Sequence, residues 1–268
     1  MITPFFKKHK EEMIDLLKKQ TEKINFPFLQ KQKEKTRGPV LKLDLHSHFI
    51  PGIDDGSQSI EESLTLLRGM EALGYEKVIT TPHIMIDVYR NTPKIIKEGL
   101  LTLQEAAKAE GIQVEIEAGA EYYLDEGFYD HLHSGEVMSI KNKYLLFETS
   151  YISKPLQVEE MIFEIGAAGY IPLMAHPERY RYVTDPKKEY GRFKELGVLF
   201  QVDLNSFGGY YGKSAKKNVD FLSKHGMIDF LGSDTHHKKH LEALSDIFRS
   251  DAYADIFTNN KIRNDELI

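Results

Sequence analysis

The chain contains no cysteine, which excludes disulfides, thiolate metal ligands and cysteine nucleophiles. It also contains no apolar stretch approaching the roughly 20 residues that are needed to span a bilayer. The first ten residues, Met1 to Lys10, lack the apolar core of a signal peptide. These absences predict a cytoplasmic protein in which any metal site is built without thiolates.

The 268 residues carry a formal net charge of −6, which is unevenly distributed. Residues 1–40 have a net charge of +5, whereas the rest of the chain has −11. An acidic body does not attract nucleic acid through its overall field, so no nucleic-acid partner is expected. We predict a basic N-terminal extension, residues 1–40, and one large domain, residues 41–268. A weak helical face over Glu11–Lys23 could bind an anionic membrane or an acidic partner, but packing against the acidic domain or a neighbouring subunit, or partial disorder, is favoured.

Short apolar and β-branched runs alternate with amphipathic helical patterns from residue 40 onward. Repeated alternation of this kind predicts an α/β fold with a parallel sheet. Seven strands suggest a closed or distorted barrel, and an open doubly wound sheet is the alternative. The predicted strands are Val40–Leu45, Lys77–Thr81, Val114–Ala118, Tyr144–Glu148, Ile171–Ala175, Val198–Leu204 and Ile228–Gly232.

Local capping signals predict where the helices between these strands begin and end. Ser59 and Glu62 are typical of a capping box, and Gly74 is typical of a helix stop. Proline directly after threonine indicates a second helix start. The predicted helices run from Ser59 to about Leu73, from Thr92 to about Gly111, from Val158 to Ala168 and from Ala215 to His225.

The polar residues suited to chemistry nearly all lie at or just beyond the carboxyl ends of the predicted strands. Active sites of parallel barrels are built from these ends, so the distribution is what a single site would require. Randomly placed surface histidines and acids would not be phased with the strands in this way. The candidate residues are His46, His48, Asp55, His83, Glu121, Glu148, His176, Asp234 and His236.

The motif His46-Ser47-His48 directly follows the first predicted strand. Side chains two residues apart on an extended backbone point to the same side, so both imidazoles can bind one metal ion. Taken alone, the motif could equally be a pair of hydrogen-bonded surface histidines. Nine candidate ligands exceed the need of one ion, and mixed imidazole and carboxylate ligation suits Mn²⁺, Fe²⁺ or Zn²⁺ better than Ca²⁺ or Mg²⁺. Clustered ions of this kind assist hydrolysis, most commonly of phosphoesters.

Six motifs, in their order along the chain, resemble the polymerase and histidinol phosphatase (PHP) superfamily. They are His46-Ser47-His48, Asp55-Gly56, Thr81-Pro82-His83, Gly119-Ala120-Glu121, the run from Ala175 to Tyr180, and Ser233-Asp234-Thr235-His236. Within the superfamily, the loop Gly52–Gly56, Glu121-Tyr122-Tyr123 and Phe147-Glu148 are similar to the capsule-locus tyrosine phosphatases of bacteria. The resemblance covers about residues 41–268 and implies a distorted (β/α)7 TIM-like barrel with three metal ions, commonly manganese.

The resemblance also implies roles for individual residues. A guanidinium fork suits phosphate oxygens, so Arg179 would clamp the substrate phosphate. A metal-bound hydroxide would attack phosphorus in line, with catalytic contributions from Arg179, His176 and Asp234. The implied substrate is phosphotyrosine on the tail of a tyrosine kinase of capsular polysaccharide synthesis. The implied ligands are His46, His48, Glu121 and Asp234 for the first ion, Glu121, Glu148 and His176 for the second, and Asp55, His83 and His236 for the third.

One departure from the family pattern concerns the substrate. The family often has a further phosphate-facing arginine after Ser-Asp-x-His, whereas this chain has Lys238 and Lys239, either of which could supply the charge. The alternatives are a small-molecule phosphatase similar to histidinol phosphatase and a binding module whose metal site is structural. A polymerase-associated nuclease is disfavoured by the acidic body.

Histidines outside the motifs have simpler interpretations. His131 and His133 are predicted to lie in a surface loop, because no apolar strand precedes them. His237 and His240 are predicted to be solvated residues at the start of a helix. The tyrosines near the motifs, such as Tyr211, are favoured as packing residues, although some could line a binding site for a phenol.

Overall fold

A computed structural model describes residues 36–268, so the helical face predicted over Glu11–Lys23 lies outside the described residues. The described part of the chain alternates strands and helices, as the sequence predicts. The strands are β1 (Leu43–Asp44), β2 (Lys77–Thr80), β3 (His83–Ile84), β4 (Glu115–Ala118), β5 (Glu121–Tyr123), β6 (Tyr144–Glu148), β7 (Ile171–Ala175), β8 (Leu199–Asp203) and β9 (Phe230–Gly232). The helices are α1 (Ile60–Leu73), α2 (Pro93–Ala109), α3 (Phe128–Ser134), α4 (Val158–Ala167), α5 (Pro186–Glu195), α6 (Leu204–Phe207), α7 (Gly212–Lys224), α8 (Lys238–Phe248) and α9 (Asp251–Asn259).

All strand pairs within the two sheets are parallel. One sheet has the order β1-β2-β4 and the other has the order β3-β5-β6-β7-β8-β9. Only two residues separate β2 from β3, and only two separate β4 from β5, so the chain passes directly from one sheet to the other at both places. The predicted α/β fold with parallel strands is therefore confirmed.

The far ends of the two sheets meet beside the His46-Ser47-His48 motif. Ser47 forms an isolated parallel bridge with Thr235, which lies just beyond β9. The backbone N–H of His48 donates to the carbonyl of Thr235 (3.0 Å), and the N–H of Asp234 donates to the carbonyl of His46 (2.8 Å). These backbone bonds fix the residues that follow β1 against those that follow β9.

The strands are buried because apolar side chains cover both of their faces. Strands β6 and β7 are nearly continuous apolar runs and are almost entirely buried, which is typical of parallel strands. A small cluster on one face includes Leu43 of β1, Leu146 of β6 and Phe230 of β9, which all have an exposed fraction of 0%. A fully buried leucine contributes about 1.5–3 kcal/mol to stability, so this shared core holds the ends of both sheets together.

Capping explains the boundaries of the helix that follows the first motif. The Ser59 side chain accepts a hydrogen bond from the N–H of Glu62 (3.3 Å). Gly74 ends α1 with a φ of +96°, a left-handed conformation that glycine adopts without strain. The predicted helix from Ser59 to Leu73 is confirmed.

Several sequence predictions differ from the structure at local scale. Residues 36–268 contain nine strands where seven were predicted, since β3 and β5 form as short separate strands just beyond β2 and β4. The first predicted strand, Val40–Leu45, is shorter than expected, since only Leu43–Asp44 pairs with a neighbour. The prediction of a surface loop at His131 and His133 was wrong, because both lie in the short helix α3. Its buried Phe128 and Leu132 anchor that helix to the core.

The first described residues pack on the last two helices, α8 and α9. The N–H of Arg37 donates to the carbonyl of Phe248 (3.0 Å), and the Tyr253 hydroxyl donates to the carbonyl of Pro39 (2.7 Å). Within residues 36–268, none of the helices is both long enough and apolar enough to cross a bilayer.

Candidate metal centre

All nine predicted ligands meet at the carboxyl ends of the strands. Neighbouring strands deliver them in register: Glu121 in β5 lies opposite His83 in β3, and Glu148 at the end of β6 lies opposite Tyr123 of β5. Seven of the nine are buried, and only Asp55 and His236 reach the solvent to a larger extent. The alternation of strand and helix thus gathers residues that are far apart in sequence.

Glu121 lies at the centre of the cluster and has an exposed fraction of 0%. Its Oε2 atom is 3.2 Å from Nε2 of His46 and 3.1 Å from Nδ1 of His83. Its Oε1 atom is 3.0 Å from Nε2 of His176. Because its two oxygens face different histidines, Glu121 is placed to bridge two cations.

Asp234 also faces the histidine pair. Its Oδ1 atom is 3.4 Å from Nε2 of His46 and 3.3 Å from Nε2 of His48. The same oxygen is 3.5 Å from Nδ1 of His236. The other oxygen, Oδ2, accepts a hydrogen bond from Nη1 of Arg179 (2.5 Å). Asp234 therefore joins the histidine cluster to the predicted phosphate-binding arginine.

A third side of the cluster is closer to solvent. Oδ1 of Asp55 is 3.4 Å from Nε2 of His83 and 3.4 Å from Nε2 of His236. The rings of His48 and His236 are stacked with their centroids 4.0 Å apart. Among residues 36–268, three groups have donor atoms close enough together to hold a metal ion: His46, His48 and Glu121; His83, Glu121 and Glu148; and His48, Asp55, His83 and His236.

The grouping places His83 in two of these sets. Its Nδ1 atom lies 3.1 Å from Oε1 of Glu148, whereas its Nε2 atom faces Asp55. His176, which the resemblance assigns to the second ion, is 3.0 Å from Glu121 but 4.0 Å from the nearest oxygen of Glu148.

Electrostatics couple the histidines to the carboxylates. Burial lowers the pKa of an imidazole, but Glu121 and Asp234 outweigh burial and raise the pKa of His46 to about 10. For His236, burial is likewise outweighed by Asp234 and Asp55, and its pKa rises to about 9. Conversely, burial would raise the pKa of Glu121, but the neighbouring imidazoles hold it well below its usual range. The imidazoles therefore keep the Glu121 carboxylate charged.

The donor set fits divalent cations. Nε2 of His46 and Nε2 of His48 face each other at 3.3 Å in a fully buried position. Nδ1 of His83 lies 3.1 Å from two carboxylate oxygens but is aligned for a hydrogen bond with neither, and it is buried without a partner. Converging nitrogens and carboxylates without thiolates form a site for a borderline metal ion such as Mn²⁺, Fe²⁺ or Zn²⁺.

The backbone at the centre is also unusual. His176 and Asp234 have positive φ values of +33° and +47°. Residues other than glycine adopt such values at a cost of about 1–3 kcal/mol and do so mainly at functional sites. The fold sustains this strain where it aims a histidine and a carboxylate into the cluster.

Sequence analysis did not predict that Gln201 and Asp54 bond the rings of the histidine pair. Nδ1 of His46 is 2.6 Å from Oε1 of Gln201, and Nδ1 of His48 is 2.8 Å from Oδ2 of Asp54. Such bonds fix which ring nitrogen faces the metal. Asp44, the last residue of β1, accepts hydrogen bonds from the N–H and the hydroxyl of Ser233 (2.7 and 2.9 Å), the residue before Asp234.

Arg179 is held between two aromatic rings. Its guanidinium lies 4.1 Å from the ring centroid of Tyr211 and 4.8 Å from that of Tyr151. Cation–π contacts of this kind contribute about 0.5–2 kcal/mol and fix the plane of the guanidinium. Tyr211, which was favoured as a packing residue, therefore packs against a predicted catalytic group, and sequence analysis missed Tyr151.

The lysines and histidines that follow β9 differ in their exposure to solvent. His237 is exposed, as predicted, and Lys238 and Lys239 are exposed at the start of α8. The prediction for His240 was wrong, because its exposed fraction is only 7%. Its Nδ1 atom lies 3.0 Å from the carbonyl of Asp234, so His240 supports the backbone of a predicted ligand. Burial lowers the pKa of His240 to about 4 and keeps it neutral.

Comparison with known proteins agrees with this geometry. The chain is 29% identical over 198 residues to tyrosine-protein phosphatase YwqE of Bacillus subtilis, a match that covers 74% of this chain and 78% of that protein. It is 27% identical over 201 residues to tyrosine-protein phosphatase CpsB of Streptococcus pneumoniae, covering 72% of this chain and 82% of that protein.

The fold is shared with a crystal structure from a study of YwqE and CpsB, described there as metal-dependent tyrosine phosphatases. The TM-score is 0.71 at 26% identity, and the match covers 82% of this chain and 96% of that chain. A sequence model of the family "Capsular polysaccharide synthesis, CpsB/CapC" matches residues 42–247. The predicted resemblance to capsule-locus tyrosine phosphatases is confirmed, and the chain belongs to the CpsB/CapC family.

Proposed function

We propose that this chain is a metal-dependent protein-tyrosine phosphatase. The observation that carries the proposal is the convergence of nine imidazole and carboxylate side chains around Glu121, with Arg179 bonded to Asp234 at their edge. A cationic fork next to a metal centre suits a phosphoryl group. The relatives named YwqE and CpsB are tyrosine-protein phosphatases, which supports the same reaction here.

The proposed cofactor is Mn²⁺, with three ions per chain, and Fe²⁺ or Zn²⁺ could occupy the same donors. Bound ions would activate a water molecule and neutralise charge on the phosphoryl group. His83 lies in two of the three groups, but one imidazole binds two ions only after losing both ring protons. We therefore assign His83 to the third ion through Nε2, and His176 to the second ion through Nε2. The proposed ligands are His46, His48, Glu121 and Asp234 for the first ion, Glu121, Glu148 and His176 for the second, and Asp55, His83 and His236 for the third.

Arg179 is proposed to bind the phosphate of the substrate. Of its five N–H donors, one is bonded to Asp234, and Tyr151 and Tyr211 hold the guanidinium between their rings. The fork is therefore positioned before the substrate arrives, and little side-chain entropy is lost on binding.

The reaction joins a water oxygen to phosphorus and breaks the bond between phosphorus and the phenolic oxygen. Inorganic phosphate and tyrosine are released, and the phenolic oxygen takes up one proton. Because the pKa of a tyrosine phenol is about 10, this oxygen leaves with only modest assistance.

The physiological substrate is proposed to be phosphotyrosine on a bacterial tyrosine kinase of capsular polysaccharide synthesis, in agreement with the family to which the chain belongs. We also propose that the two sheets form a distorted seven-stranded barrel in which β2 continues as β3 and β4 continues as β5, a geometry supported by the bridge between Ser47 and Thr235. The division into an extension, residues 1–40, and a barrel domain, residues 41–268, and the cytoplasmic location remain predictions.

The test measures hydrolysis of a phosphotyrosyl peptide before chelation, after chelation and after return of Mn²⁺. We expect chelation to abolish turnover and Mn²⁺ to restore it. Glu121→Gln and His48→Ala should lower the rate of hydrolysis. The loss should exceed the roughly 10- to 100-fold loss that follows removal of a residue hydrogen-bonded to a metal ligand. Glu98→Gln and His225→Ala, at exposed positions, are the matched controls.

Two results would contradict the proposal: full activity of Glu121→Gln, or turnover that is insensitive to chelation. Faster hydrolysis of histidinol phosphate than of the peptide would indicate a small-molecule phosphatase instead. Elemental analysis of the same samples reports metal content independently of activity.

A further inference from the structure

Two loops that follow strands of the metal centre carry exposed apolar side chains. Residues 36–268 contain ten large hydrophobic side chains that are exposed, and four of them lie on two loops. Ile86 and Val88 lie on the loop that follows β3, with exposed fractions of 42% and 60%; Ile152 and Leu156 lie on the loop that follows β6, with 75% and 104%. Single exposed apolar residues need no explanation, whereas a cluster beside a site indicates a binding surface.

Both loops are anchored to the metal centre by a tyrosine. Tyr89 stacks on His83 with ring centroids 5.5 Å apart and an angle of 13°. Tyr151 lies 5.6 Å from the ring of His176 and also contacts Arg179. In each loop the residue next to this tyrosine, Val88 or Ile152, is exposed. Each of the four exposed apolar residues therefore lies within five residues of a tyrosine that contacts a predicted ligand.

The strand order places the two loops on the same side of the centre. Strands β3, β5 and β6 are direct neighbours, and adjacent strands lie about 4.8 Å apart, so β3 and β6 end about 10 Å from each other. Tyr123 at the end of β5 lies between them and is partly exposed. We call the surface formed by Ile86, Val88, Tyr123, Ile152 and Leu156 the apolar rim.

Hydrogen bonds hold both loops in place before a ligand arrives. The Asn91 side-chain amide donates to the carbonyls of Ile53 (2.9 Å) and His83 (2.8 Å). In the other loop, the Thr149 hydroxyl bonds the Tyr182 hydroxyl (2.9 Å), and the N–H of Ile152 donates to Ser150 Oγ (3.3 Å). A rim that is already ordered binds its partner with little entropic cost.

We propose that the apolar rim binds apolar side chains that flank the phosphotyrosine of a peptide substrate. The inference rests on the proposed phosphatase function and extends it to the choice of substrate sequence. With the phosphate at Arg179, an extended peptide advances about 3.3 Å per residue, so side chains within about three residues of the phosphotyrosine reach a rim that is about 10 Å wide. A small phosphate ester cannot make this contact, whereas an aliphatic or aromatic neighbour of the phosphotyrosine can.

The test compares two phosphotyrosyl peptides with the metal-loaded full chain. One peptide carries leucine at the two positions on each side of the phosphotyrosine, and the other carries serine there. We expect kcat/KM of the wild-type protein to be about tenfold higher for the leucine peptide, the scale on which a few apolar contacts discriminate substrates. Val88→Ser combined with Ile152→Ser should reduce this ratio to about one.

The matched control combines Val40→Ser with Leu101→Ser, which removes similarly exposed apolar side chains far from the rim (56% and 60% exposed). This control should keep the wild-type ratio. An unchanged ratio in the rim variant, or equal hydrolysis of both peptides by the wild-type protein, would overturn the inference while the phosphatase function stands. Failure of the wild-type protein to hydrolyse either peptide would overturn the proposed function and the inference together.

Discussion

At the scale of single residues, the two histidines of the His46-Ser47-His48 motif differ in the partner behind each ring. A neutral amide, Gln201, binds Nδ1 of His46, whereas a carboxylate, Asp54, binds Nδ1 of His48. Gly232 makes room for the amide, because a Cβ atom there would lie 2.5 Å from Nε2 of Gln201 and 2.8 Å from Cβ of His46. Gln201 therefore selects the tautomer in which Nε2 of His46 is free to bind a metal ion.

Replacing Gln201 by leucine should weaken Mn²⁺ binding by about 10- to 100-fold, because the ring of His46 loses the acceptor that orients it. Gln201→Glu keeps an acceptor at the same place and should retain affinity, since a carboxylate makes the imidazole a stronger donor to the metal. Calorimetric titration of the metal-free protein with Mn²⁺ measures the affinity of both variants. Gln113→Leu, at an exposed position, controls for nonspecific effects, and wild-type affinity in Gln201→Leu would contradict the assignment.

The proposed ligands could be predicted from the sequence, whereas the residues that hydrogen-bond to them could not. The difference lies in the local sequence around each residue. His46, His48 and Asp234 stand in short motifs at strand ends, where their position along the chain already places them at one edge of a sheet. Gln201 stands inside β8, where no neighbouring residue signals its role. His240 looks like a polar helix-start residue, and only the packing of α8 against the core makes it buried.

At the scale of secondary-structure elements, α8 begins with an unfavourable charge distribution. Its first turn contains Lys238 and Lys239 and no acid, and its N-cap residue, His237, makes no side-chain cap bond. Positive charge at a helix N-terminus costs about 0.3–1 kcal/mol. A function in binding anions would account for this cost, since α8 starts directly after the proposed ligands Asp234 and His236.

Exchanging Lys238 and Lys239 together for glutamate should therefore have opposite effects on stability and on activity. The free energy of unfolding should rise by up to about 1 kcal/mol because the new acids suit the helix dipole. KM for a phosphotyrosyl peptide should rise several-fold with kcat nearly unchanged, because cations that attract the dianionic phosphate are lost. Denaturant unfolding and steady-state kinetics measure the two effects.

The matched control is the same exchange at Lys187 and Lys188, which occupy the first turn of α5 and are exposed. It should stabilise the protein by a similar amount and leave KM unchanged. An unaltered KM in the variant at Lys238 and Lys239 would show that these lysines do not replace the missing arginine.

Element boundaries were predicted best where local chemistry sets them. Strands β6 and β7 and helix α1 have the predicted ends, because continuous apolar runs and a capping box mark them. Helix α3 was missed, since its seven residues include few strong helix formers. Its formation depends on burial of Phe128 and Leu132, a tertiary effect that no local pattern contains.

At the scale of the whole molecule, the metal centre links the two sheets. His46, which follows β1, and Glu121 of β5 belong to different sheets, and cations held between them would add to the cohesion of the fold. Without metal, this linkage depends on protonated histidines, because the pKa of His46 is raised to about 10 and that of His236 to about 9. Metal ions bind only the neutral form of an imidazole.

Loading of the metal-free protein should therefore release protons and raise thermal stability. Below about pH 9 the ions must displace protons from His46 and His236, so metal affinity should fall as the pH falls. At a free metal concentration of about 100 times Kd, one site stabilises the fold by about 2.7 kcal/mol. For a domain of this size, that corresponds to a rise in Tm of about 5–10 °C.

Calorimetry in two buffers of different ionisation enthalpy measures the proton release, and thermal unfolding with and without Mn²⁺ measures the stabilisation. His225→Gln, which removes an exposed histidine, should release as many protons as the wild-type protein. Glu121→Gln should lose most of the rise in Tm, because Glu121 of β5 lies within 4.0 Å of four of the histidines, including His46 and His48, which follow β1 in the other sheet. Stabilisation without proton release would mean that the histidines are already neutral in the metal-free protein, so that the carboxylates do not control their charge.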